Sequence, residues 1–268
     1  HGFSFSHFHP LWKRILFKGA EKITARFTDH FIFVSREDAD TAQQLGLVKS
    51  NHSLIRSGFP LKDFLKSSGR GQAIRKKYNI TKNDFVCGII APFKPQKGFN
   101  YLIQAASRVL KKTRNIVFFV AGDGELRPAI EKELKKRDIY QYFRLPGFIR
   151  DIPSILDIFD CGLSTALWEG LPQSIVQLRL KKIPVIASNI PGHREIIHND
   201  QNGFLVNIGD HEGFARKIIL LMSNPKKRES LGSYPDDFSD WNADHMVQKQ
   251  QELYVELLKV KAKEGTNG

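Results

Sequence analysis

From residue 85 onward the chain alternates short apolar runs with amphipathic stretches, a pattern that few folds accept. Phe85-Val86-Cys87-Gly88-Ile89-Ile90 and Ile116-Val117-Phe118-Phe119-Val120-Ala121 contain no polar side chain. Neither run can turn one face to water, so each reads as a parallel strand covered on both sides. Helices are expected over 98–111 and 125–137, with Gly122-Asp123-Gly124 as the turn between strand and second helix. A short strand over 142–146, a helix over 152–159 and a strand over 159–164 follow. A helix over 174–181 and strands at 184–188 and 204–206 complete the series. Parallel strands need crossover helices, so the expectation is an α/β, doubly wound parallel sheet with its ligand beyond the C-terminal strand ends.

The first 58 residues do not fit that series. Residues 10–27 form an amphipathic helix in which Trp12, Ile15, Leu16 and Phe17 stand among Lys13, Arg14, Lys18 and Lys22. Residues 31–35 read as a lone strand, and 36–45 as a helix capped by Ser35. One strand and two helices cannot close a sheet. Residues 1–58 are therefore expected to be the end of a domain whose beginning is missing, and the chain, which starts at His1, to be a fragment or processed product. A ligand-binding domain is expected over 59–240, joined through a hinge-like connection at 66–84, and a helix with a frayed tail over 241–268. The two cysteines, Cys87 and Cys161, lie inside apolar runs, which suits free thiols in a reducing compartment. No run reaches the ~20 apolar residues of a membrane span. The net charge of +13 implies an anionic partner.

The chemistry concentrates in Trp168-Glu169-Gly170-Leu171-Pro172-Gln173-Ser174-Ile175-Val176-Gln177. A strand runs into a Gly/Pro turn and the turn opens into a helix, so unpaired N–H groups and the positive helix end converge there. Glu169 is a strong acceptor at the lip. A sugar carried on a diphosphate fits such a seat. Gly122-Asp123-Gly124-Glu125 is not a G-x-G-x-x-G fingerprint, and a Walker A motif, a metal-spaced cluster and a Ser-His-Asp arrangement are absent from the sequence.

The succession Phe33-Val34-Ser35, Ile55-Arg56-Ser57-Gly58, Lys94-Pro95-Gln96-Lys97-Gly98, Ala121-Gly122-Asp123-Gly124, Leu145-Pro146-Gly147, Trp168-Glu169-Gly170-Leu171-Pro172, Pro191-Gly192-His193-Arg194-Glu195 and Asn202-Gly203-Phe204 resembles the retaining nucleotide-sugar glycosyltransferases of family 4. That resemblance implies a two-domain GT-B architecture, Rossmann-like in each half, with no metal or other cofactor. It implies that Lys97 contacts the donor diphosphate; the helix start at Ser174 would share that seat, and Lys94 could substitute for the arginine missing at Pro92, as a point charge and not a bidentate fork. Glu169 would hold the transferred sugar with Gly170, Leu171, Pro172 and Gln173, and Gln177 the ribose. Phe148, Ile149 and Arg150 would lie against the base, and His1 would stand near the reacting sugar. Two departures stand out. Pro92 replaces the family's usual arginine, and Gln177 replaces its second glutamate. The amide at 177 forgoes charge-assisted bonds to the ribose.

The implied activity is transfer of a sugar from a nucleoside diphosphate sugar to a glycan or lipid-linked acceptor in cell-surface polysaccharide synthesis. A cytoplasmic location would suit it, with the basic helix at 10–27 either in peripheral contact with the inner face of an anionic membrane or packed on the missing part of its domain, the two being equally good. Rival readings are a nucleotide-binding GT-B module of weak or no activity and another GT-B enzyme such as a sugar epimerase. Nucleic acid is not expected, because Lys and Arg are scattered over helix faces without an aromatic-interleaved patch.

Overall fold

The computed structural model describes residues 10–66 and 68–265. They fall into two compact units, one formed by residues up to Leu61 together with those from Asp237 onward, the other by Lys62–Asp236. The first unit opens with α1 (Leu11–Ala25), which buries none of its residues and leaves Leu11, Trp12, Ile15 and Leu16 exposed. β1 (Phe31–Phe33) follows, then α2 (Arg36–Gln44), whose first turn is closed by Ser35 Oγ accepting from the Asp38 amide. The expected lone strand has a partner after all, because β2 (His52–Leu54) pairs with it in parallel. β2 is polar and half-buried, so it lacks the apolar signature by which its neighbours were recognised.

The second unit begins with α3 (Lys62–Leu65) and α4 (Gly71–Lys77). The stretch expected as a hinge is thus folded into this unit. Ser68 donates from backbone and side chain to Asp157, and Arg70 pairs with Asp151 at 2.9 Å. β3 (Phe85–Ile90), α5 (Phe99–Leu110), β4 (Ile116–Ala121), α6 (Arg127–Lys136), β5 (Phe143–Gly147) and α7 (Ile152–Leu156) follow. β6 (Cys161–Ser164), α8 (Gln173–Leu180), β7 (Val185–Ser188), α9 (Pro191–Arg194) and β8 (Gly203–Val206) complete the alternation. α10 (His211–Ser223) and α11 (Pro225–Gly232) close the unit.

The six strands form one parallel sheet in the order β5-β4-β3-β6-β7-β8. One face carries Phe85, Cys87, Ile89, Phe118 and Val120 against α5 and α10, whose Leu102, Ala106, Phe214, Ile218 and Leu221 are all buried. On the other face Gly88 lies beside Gly162, and a Cβ at Gly88 would fall 1.9 Å from the Phe159 ring. That ring therefore occupies the space over Gly88, and β6 starts only at Cys161, two residues later than expected. The cysteines sit side by side in the register, both buried and free, with Sγ atoms 3.4 Å apart. Burial and the neighbouring thiol push Cys87 well above its ordinary pKa.

The last helix, α12 (Ala243–Gly265), belongs to the first unit, where the Gly58 amide donates to Met246 and Arg56 stacks on Trp241 at 4.4 Å. Among the described residues no helix is long and apolar enough to cross a membrane.

Candidate functional site

The strand order reverses between β3 and β6, the two central neighbours from which the chain winds outward in opposite directions. In such sheets a crevice opens at the C-terminal ends of the strands on either side of the reversal. The loops that meet there are 91–98 after β3 and 165–172 after β6. Loop 189–191, after β7, lies alongside.

The first two loops are stitched together. Leu167 donates its amide to Gln96 O at 2.8 Å, Thr165 Oγ1 donates to Lys97 O at 2.9 Å, and Gln96 Nε2 donates to Trp168 O at 2.8 Å. This lacing fixes the two side chains of most chemical interest. The Lys97 ammonium donates to Glu169 Oε1, and Gln96 Nε2 reaches Oε2 of the same carboxylate at 3.4 Å. Side-chain exposure is 16% for Lys97 and 14% for Glu169, so the pair is largely withdrawn from water.

Gly98 makes the lacing possible. It has φ +62° and links the 3₁₀ turn Pro95–Lys97 to α5. A Cβ there would stand 2.1 Å from Thr165 O, inside the contact between the loops. The start of α9, which follows that third loop, presses in the same way, for a Cβ at Gly192 would lie 2.6 Å from Glu169 O and 2.7 Å from Gly170 O.

His193, which follows Gly192 in α9, is fully buried. Its Nδ1 can only donate to the Ser188 carbonyl, at 2.8 Å, which leaves Nε2 to accept from Ser164 Oγ at 3.2 Å. Burial pushes its pKa down to about 4, and the nearby Lys97 ammonium adds to that. The ring is neutral at ordinary pH and ties the ends of β6 and β7 together. Its spacing in the sequence carried no signal of this, because the two serines it joins lie on different strands.

α5 and α8 both begin without a side-chain cap, at Gly98 and Pro172. α1, α4, α6 and α9 also lack one, whereas α2, α7, α10 and α11 are closed by Ser35, Asp151, Asp210 and Asn224. The N-termini of α5 and α8 both bring positive dipole ends beside the reversal, and in α8 the Gln173 and Ile175 amides are already bonded to Leu171 O and Pro172 O, at 3.0 and 2.9 Å.

The remaining residues singled out from the sequence are placed as follows. Gly170 and Leu171 are half-buried, Pro172 is buried, and Gln173 is exposed. Ser174 and Gln177 are half-buried on the first turns of α8, and Lys94 is exposed. Among the described residues none of these side chains hydrogen-bonds to the Lys97–Glu169 pair. Phe148, Ile149 and Arg150 follow β5, two strands from β3, with Phe148 77% exposed. His1 lies outside the described residues. A further contributor was missed: Arg127 donates to Leu145 O at 2.7 Å and to Asp123 at 3.3 Å, which holds the Gly122-Asp123-Gly124 turn against β5.

The family model described as "Glycosyl transferases group 1" matches residues 71–236. The UDP-Gal:alpha-D-GlcNAc-diphosphoundecaprenol alpha-1,3-galactosyltransferase of Escherichia coli is 26% identical over 275 residues, covering 96% of this chain and 68% of its own length. EpsD of Bacillus subtilis (strain 168) is 29% identical over 237 residues, which are 87% of this chain and 61% of that protein. Among solved structures, Anabaena Alr3699/HepE in complex with UDP and glucose superposes with a TM-score of 0.84 at 20% identity, covering 95% of this chain and 70% of that one. That last likeness is one of fold.

Proposed function

The chain belongs to the group 1 glycosyltransferases, of GT-B fold, and on that premise we propose that its second unit holds a nucleoside diphosphate sugar at the β3/β6 reversal. The observation that carries this reading is the meeting of Lys97 and Glu169 between two uncapped helix N-termini. Lys97 takes the diphosphate there with the helix starts at Gly98 and Ser174, and Lys94 lends its charge from the rim. Glu169 and the backbone from Gly170 to Gln173 take the sugar hydroxyls, Gln177 takes the ribose, and the base lies along Phe148, Ile149 and Arg150. Uridine is the favoured base, since UDP-Gal is named as donor of the Escherichia coli relative and UDP is bound to HepE.

The proposed reaction is transfer with retention at the anomeric carbon, to a glycan or lipid-linked acceptor. The departing phosphate oxygen takes the acceptor proton on the same face. This chain's residues contribute position and electrostatic support: Lys97 and the two dipoles stabilise negative charge growing on the diphosphate, in a place largely closed to water. The helix α1, with apolar residues set among Lys13, Arg14, Lys18 and Lys22, suits a peripheral approach to an anionic membrane that carries such an acceptor, and suits packing against protein equally well.

The reading is tested with Lys97→Ala. Charge-assisted bonds are worth roughly 1.5–3 kcal/mol, so calorimetry should show UDP binding weakened by about tenfold or more, with uridine binding unchanged. Equal losses for the two ligands would remove Lys97 from the diphosphate seat. Gln177→Glu tests the ribose contact. A carboxylate one turn into α8 should bind UDP several-fold more tightly, equivalent to about 1 kcal/mol. That gain should vanish with 2′,3′-dideoxyuridine diphosphate; a gain that persists would place residue 177 away from the ribose.

A further inference from the structure

We infer that Glu169 is an internal competitor for the diphosphate seat, so that the site discriminates against a nucleoside diphosphate lacking its sugar. This rests on the donor reading above. Lys97 and Glu169 already hold one another, and both are mostly shielded from solvent. The only other side chain bonded to the carboxylate among the described residues is the neutral amide of Gln96.

Consider what each ligand does to that pair. A free nucleoside diphosphate draws the ammonium to its own oxygens. Glu169 then stands as a shielded carboxylate without its cation, close to a new anion, and both effects oppose binding. An intact nucleotide sugar brings the same diphosphate together with hydroxyls that donate to Glu169. It satisfies both halves of the pair it separates. Affinity for the diphosphate group is therefore coupled to the presence of the sugar, through one carboxylate and one ammonium in direct contact. The consequence for a transfer cycle is directional. The intact donor is retained, and the nucleotide left after the sugar departs is released by the returning Lys97–Glu169 contact.

The inference makes a prediction opposite in sign to the ordinary effect of removing a site residue. Glu169→Gln keeps the shape of the side chain and removes its charge, so UDP should bind about five- to tenfold more tightly than to the parent. Uridine, which has no phosphate, should bind both proteins equally. Glu169→Ala is carried alongside, so that a folding defect in either variant does not decide the result, and Glu169→Asp, which keeps the charge, should show no gain. Calorimetry on the full chain with UDP and with uridine measures all of these. If UDP binds the parent but binds the Gln and Ala variants no more tightly, Glu169 is not a competitor. If uridine gains as much as UDP, the effect lies at the base and the inference is likewise overturned. A parent that fails to bind UDP at all would remove the donor reading and this inference with it.

Discussion

Gly98→Ala is expected to lower the folding stability by about 3 kcal/mol and to remove UDP binding from the molecules that remain folded. Two costs add at this position. The backbone sits at φ +62°, a conformation that costs an L residue roughly 1–2 kcal/mol. The new methyl would also meet the backbone oxygen of Thr165 at 2.1 Å, where a carbonyl cannot step aside as a flexible side chain can. Something must move, and what moves is the contact between the β3 and β6 loops. The hydrogen bonds from Leu167 to Gln96 and from Thr165 to Lys97 would stretch, and with them the placement of Lys97 against Glu169. Urea unfolding and a UDP titration of the same preparation check both parts. A variant within 1 kcal/mol of the parent that still binds UDP normally would show that the loops yield, and that Gly98 matters only for its own turn.

The parts of this fold that were legible in the sequence are those where one physical requirement fixes a run of residues. β3 and β4 are buried on both faces, so their runs had to be apolar throughout, and they were read within a residue of their observed bounds. β2 is three half-buried residues, His52-Ser53-Leu54, and no burial requirement shaped it. α10 could have been found. Asp210 caps it, and Phe214, Ile218 and Leu221 recur on one face. Lys97 and Glu169 were each named from the motif that contains them. Their pairing was not, because it spans 72 positions and depends on β3 and β6 being neighbours, a property of the whole sheet order. The contacts of Gly192 and His193 were illegible for a similar reason: Gly192 meets the loop after β6, and His193 joins Ser164 at the end of β6 to Ser188 at the end of β7. Pro92, on the loop after β3, and Gln177, on the first turns of α8, are the two departures from the family pattern, and each stands beside residues that follow it.

Arg179→Met should be the most destabilising single change at any charged residue of the second unit, at about 3–5 kcal/mol. In the middle of Ile175-Val176-Gln177-Leu178-Arg179-Leu180 a lone arginine reads as the solvated edge of a helix, yet its side chain is 0% exposed. The guanidinium donates to Asp236 through Nε at 2.9 Å and reaches the carbonyls of Ile183 and Gly232. The other oxygen of Asp236 accepts from Asn202 Nδ2 at 2.7 Å, and Asn202 is wholly buried. The network ties the C-terminal end of α8 to the start of β7, the end of α11 and the turn before β8. Methionine fills most of the arginine's volume but leaves the Asp236 carboxylate, 8% exposed, with one amide for company. The cost comes from that stranded charge, not from a lost attraction, and the distinction can be measured. Arg179→Met/Asp236→Leu removes both charges and should recover more than half of the loss, because Asn202 still donates to Ile196 O at 2.9 Å. Denaturant unfolding of the parent, the two single variants and the double completes the cycle. The folded fraction of Arg179→Met should bind UDP within about twofold of the parent, since the network anchors the end of α8 opposite the one that bears Ser174 and Gln177. A double variant no better than Arg179→Met alone would mean that the arginine's own bonds, and not the stranded carboxylate, hold α8 in place.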